Sequence, residues 1–122
     1  MKTIIILLPA LIHAYIWVLE SFLWGSEKTN KTFGLQKADA AATKSMAFNQ
    51  GFYNLMLSMA VVLGLVLSAC GKTEAGSALT SFGLVCMVFA GLVLVSNSPK
   101  LWRSALFQIV PGFAALAVLF LL

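Results

Sequence analysis

Four apolar runs, Thr3–Trp24, Met46–Cys70, Ser77–Ser96 and Ala105–Leu122, take up most of the 122 residues. Each is close to the ~20 residues with which a helix crosses ~30 Å of hydrocarbon. Lipid offers no water to backbone N–H and C=O groups, so a spanning run must satisfy them within itself, as a helix does. The chain is therefore predicted to be all-α, an integral membrane four-helix bundle forming one domain over residues 1–122. Composition agrees: 10% of the residues are charged, where a soluble domain carries ~25%.

Two features imitate processing signals. Met1-Lys2 followed by apolar residues resembles a signal peptide, but the run is too long, contains Glu20 and lacks a small-residue cleavage site, so it is expected to stay as a spanning helix. Leu67 to Gly71 resembles a lipoprotein cleavage box, yet it follows two long apolar runs. Cys70 should lie at a membrane surface and Cys86 mid-helix, too far apart for a disulfide; both read as small packing residues.

The net charge is +4. Eight cations spread over an apolar chain form no basic stripe, and no nucleic-acid partner is expected. They work better as topology signals. Connections 25–45 and 97–104 hold Lys28, Lys31, Lys37, Lys44, Lys100 and Arg103, against Lys2 and Lys72 on the other side. The positive-inside rule puts both connections in the cytoplasm and both termini outside.

The stretch His13 to Trp24 breaks the apolar pattern. On a helix turning by ~100° per residue, His13, Trp17, Glu20 and Trp24 share an arc of about 60°. An ionisable group in a span costs ~2.5–3.5 kcal/mol on insertion scales and marks a functional candidate. Glu20 reads as a proton carrier or a counter-charge for a cationic ligand; the structural alternative is an ion pair with Lys44 or Arg103. His13 lies ~10 Å from Glu20 along the axis, so a relay between them needs a water or Tyr53 as bridge. The alternative is a neutral histidine bonded to a neighbouring helix. Trp17 and Trp24 suit an aromatic box for an organic cation, although Trp24 and Trp102 also fit an interfacial belt.

The other helices bring polar groups to the same depth. Asn49, Gln50, Tyr53 and Asn54 open the second helix, and Gln108 lies near the start of the fourth. They suit a lined pocket or inter-helix bonding. Asn49 and Tyr53 continue into Ala60, Gly64 and Ser68, a ridge expected to face into the bundle. Neither the His–Glu spacing nor the cysteines make a metal site, and no cofactor is expected.

The order H-x-Y-I-x-x-L-E-S-F-L-W over His13 to Trp24, with N-Q-G-F-Y-N over Asn49 to Asn54, resembles a bacterial family of small membrane proteins known only as domain of unknown function thirteen-oh-four. The resemblance spans almost the whole chain. It implies a four-helix membrane protein in a bacterial cytoplasmic membrane and marks His13, Tyr15, Glu20, Trp24, Asn49, Gln50, Gly51, Tyr53 and Asn54 as family-type positions. It brings no activity with it.

The leading expectation is a small protein that binds a lipophilic or cationic small solute in a polar pocket around Glu20, with transport of that solute as an extension of the binding. Its partners would be the bilayer, the ligand and a second copy in a homodimer, since four short helices make a thin wall. One rival is a membrane enzyme in which Glu20, His13 and Tyr53 do acid–base work on a lipid- or quinone-like substrate. Another is an accessory subunit whose polar face meets a partner.

Overall fold

Long apolar segments with backbone groups to satisfy fold as helices, and no strand occurs among the described residues. The computed structural model describes residues 1–121: α1 (Lys2–Ser21), α2 (Glu27–Phe33), α3 (Lys37–Ala69), α4 (Thr73–Asn97), a 3-10 turn (Pro99–Leu101) and α5 (Trp102–Leu121). α1, α3, α4 and α5 with its preceding turn are each long and apolar enough to cross a membrane. The protein is a multi-pass membrane bundle.

The four long helices form a ring in which α1 packs on α3, α3 on α4, α4 on α5 and α5 back on α1; α1 barely meets α4 across the diagonal. Ile6, Val61, Leu84, Met87 and Ala115 make up most of the buried apolar cluster. They come from the N-terminal half of α1, the middle of α4 and the C-terminal halves of α3 and α5. That packing fills the half of the bundle remote from α2. Glycines close the seams: a Cβ on Gly64 would collide with the Thr80 hydroxyl, and one on Gly112 would come within 2.6 Å of Val88. Gly64, in the ridge expected to face into the bundle, is thus packed within the chain. Large side chains such as Phe82, Phe89, Phe107 and Phe120 point outward, as a lipid-facing surface requires.

The first connection differs most from expectation. α1 stops at Ser21, so Trp24 lies beyond its end and off the predicted stripe. Ser26 then caps α2, its hydroxyl oxygen accepting from the Thr29 N–H at 3.3 Å. Gly34 ends α2 at φ 65°, a left-handed conformation that costs glycine nothing. α3 begins at Lys37 and not at Met46, because Ala38, Ala40, Ala41 and Ala42 are strong helix formers that hydropathy undervalues. Its 33 residues span ~50 Å, so the charged first turns project beyond a ~30 Å hydrocarbon layer.

Candidate functional site

Helix α3 can approach α1 closely because Gly51 has no side chain. A Cβ there would collide with the Ser21 hydroxyl and lie 3.1 Å from both the Glu20 Cβ and the Trp17 carbonyl oxygen. One turn further on, the close approach delivers Asn54 between two polar groups of α1. His13 Nδ1–H donates to Asn54 Oδ1 at 2.8 Å, and Asn54 Nδ2 donates to Glu20 Oε2 at 2.7 Å. A turn later again, the Ser58 hydroxyl donates to the Ala10 carbonyl at 2.8 Å. His13, Glu20 and Asn54 are 0%, 8% and 7% exposed. The bridge between acid and imidazole is therefore an amide, where a water or Tyr53 was expected. Glu20's partner is that amide and not Lys44 or Arg103. His13 Nε2 is buried without a hydrogen-bond partner among the described residues.

The remaining predicted residues disperse. Only one face of α3 can meet α1, and Ala47, Gly51, Asn54 and Ser58 occupy it. Asn49 and Gln50 are exposed, and Tyr53 is 67% exposed on the outer surface. Of the expected inward ridge, Gly64 and Ser68 do pack on α4, whereas Asn49 and Tyr53 are out of phase with the buried face. Trp17 lies edge-on to Phe22 and Phe52, with ring centroids 5.4 and 5.9 Å away, and its buried Nε1 is unpartnered among the described residues. Trp24 donates from Nε1 to the Ala40 carbonyl (3.1 Å) and Thr43 Oγ1 (3.2 Å), and packs on Phe33. The two indoles do not form a box around Glu20. Trp24 instead pins the early turns of α3 to the end of α1.

The open space lies elsewhere. A cleft of about 480 Å³ runs between α1 and α5 and is closed at one end by α2. Ile12, Tyr15, Ile16 and Leu19 of α1 form one wall, Phe107 and Gln108 of α5 the other, and Thr32 and Phe33 the end. On α1 this wall sits about 100° round the axis from the His13–Glu20 face. Glu20, His13 and Asn54 do not line it; Gln108 is the one predicted binding residue that does. Its volume falls within the ~300–1,000 Å³ of small-molecule sites, and its surface is overwhelmingly apolar.

Two cations stand at the cleft. Arg103 is part of the lining, its guanidinium 5.2 Å from the centre of the Trp102 ring. Lys28 Nζ lies 5.9 Å from the centre of the Tyr15 ring, another lining residue. Neither cation was a predicted site residue, because both fall in stretches that hydropathy assigns to connections. The available signal was the pair Ser26 and Gly34, which brackets α2 and so folds Lys28, Thr32 and Phe33 against α1. No group of three or more His, Cys, Asp or Glu side chains able to hold a metal ion occurs among the described residues.

Residues 7–120 match the family described as protein of unknown function (DUF1304). No curated protein and no solved structure matches the chain.

Proposed function

The chain belongs to the DUF1304 family, and with that membership as premise we propose that it binds a lipophilic small molecule in the cleft between α1 and α5. The cleft is the observation that carries this reading. Its size suits a small ligand, its walls are apolar, and Gln108 and Ser104 supply the few polar groups that orient one. Six cations at the end that holds α2, against two at the other, support a cytoplasmic position for that end. We place the protein in a bacterial cytoplasmic membrane with both termini outside.

The test is native mass spectrometry of the detergent-released protein, wild type against Ile16→Trp. Ile16 is partly exposed on the cleft wall, so the indole fills the cleft without entering the buried core. A small molecule retained by the wild type and lost in the variant is the expected result. Equal retention, or bare protein in both cases, removes the reading.

Transport is the second reading, and the Glu20–Asn54–His13 line favours it. A buried acid and a buried base joined through one amide are the parts that a proton-coupled step uses. Substrate-driven proton movement in proteoliposomes that disappears in Glu20→Gln supports transport; movement unchanged in that variant removes it.

A further inference from the structure

The cleft has a chemical polarity that lipophilicity alone does not explain. Its body is apolar from Leu11 to Leu19 of α1, ~12 Å along the axis. Arg103 lines it at the start of α5, and Lys28 of α2 lies over the ring of the lining residue Tyr15. No carboxylate is among the lining residues. The four acids of the chain are otherwise placed: Glu20 is bonded to Asn54, Glu74 lies in the first turn of α4, and Glu27 and Asp39 stand in the first turns of α2 and α3. Glu27 and Asp39 face six cations on that end of the bundle. A cationic head would be repelled there, and a neutral one would gain only a weaker hydrogen bond from the guanidinium. An anionic head gains a charge-assisted hydrogen bond, and the planar fork of arginine matches a carboxylate or phosphate with two parallel N–H donors.

We propose that the cleft takes an amphiphile with an anionic head, a carboxylate or a phosphate, whose apolar chain lies along α1 while Arg103 holds the head. This rests on the ligand-binding reading above and adds the class of ligand to it. Fatty acids and membrane phospholipids share the required chemistry.

The experiment uses the full chain in phosphatidylcholine nanodiscs, with native mass spectrometry counting retained oleate, oleyl alcohol and phosphatidylglycerol. The wild type is expected to retain oleate about tenfold better than oleyl alcohol. Arg103→Gln should remove that preference while retaining oleyl alcohol as before, and Arg103→Lys should restore part of it. Ile16→Trp should lose all three probes. Preference for oleate or for phosphatidylglycerol supports the anionic head in either case and identifies its source. Equal retention of oleate and oleyl alcohol by the wild type together with no enrichment of phosphatidylglycerol over phosphatidylcholine, or a preference that survives Arg103→Gln, overturns the anionic-head proposal and leaves ligand binding standing. Retention undiminished in Ile16→Trp means lipid adhering to the outer surface, and the binding reading falls too. Because Arg103 is exposed and Ile16 only partly buried, matching melting temperatures for the variants confirm that lost retention is not lost folding.

Discussion

One helix, α1, serves two unlike regions. Toward α3 it presents Glu20 and His13 in a seam closed by Gly51 and bridged by Asn54, with hydrogen bonds of 2.7 and 2.8 Å. Toward α5 it presents Ile12, Tyr15, Ile16 and Leu19, and the wall stands open. The polar side is the tight one and the apolar side holds the space. The reason is energetic. A polar group inside a membrane bundle is costly unless a partner is held at bonding distance, which demands close backbones. Apolar walls carry no such demand, and a cleft remains between α1 and α5. In this bundle, polarity therefore marks where the helices lock, and the space lies on another face of α1.

Removing the bridge puts the greatest strain on this contrast. Asn54→Leu leaves Glu20 and His13 Nδ1 buried without partners, and a loss of about 3 kcal/mol in unfolding free energy is expected. Reversible unfolding in mixed micelles measures it. Ligand retention by the folded fraction should be unchanged. Retention that falls together with the seam would mean that the two faces of α1 act as one unit, which breaks the comparison.

The next effect tests why the seam is tight. In a free helix Gly→Ala stabilises by ~1 kcal/mol, but at Gly51 the added methyl meets the Ser21 hydroxyl and, at 3.1 Å, the Trp17 carbonyl oxygen. Overpacking should prevail, with Gly51→Ala destabilising by about 2 kcal/mol. Ser21→Ala removes the nearest of the three obstacles, so the double variant should recover part of the loss, a coupling that a double-mutant cycle reads directly. A stabilised Gly51→Ala would show that the seam has slack.

Much of this architecture was legible in the residues. The four spans follow from length and hydropathy, because lipid leaves a long apolar run few alternatives to a helix. That Glu20 would meet the polar start of the second spanning helix followed from depth alone. The phase of that helix did not, because counting polar side chains favoured Asn49, Gln50 and Tyr53. Close approach is decided instead by a missing side chain, Gly51, whose meaning depends on Ser21 and Trp17 across the seam. The end of α1 was hidden because Phe22, Leu23 and Trp24 continue its hydropathy past its last helical residue. The cleft was invisible for another reason: Arg103 and Leu19 are far apart in sequence and share a surface only once the ring of helices closes.

The smallest expected effect asks what the carboxylate charge itself contributes to the seam. Glu20→Gln preserves shape, and the new side-chain oxygen can accept from Asn54 Nδ2 as the carboxylate oxygen does now. Two terms then oppose each other. The variant gives up a charge-assisted bond, and it also relieves a charge of the cost of burial; the added amide N–H groups need acceptors of their own. The expected change in unfolding free energy is under about 1 kcal/mol, far below that of Asn54→Leu, with ligand retention in the cleft unaltered. A loss as large as that of Asn54→Leu would mean that the negative charge, and not the geometry of the bridge, holds α1 to α3. A small change would leave shape and hydrogen bonding as the lock.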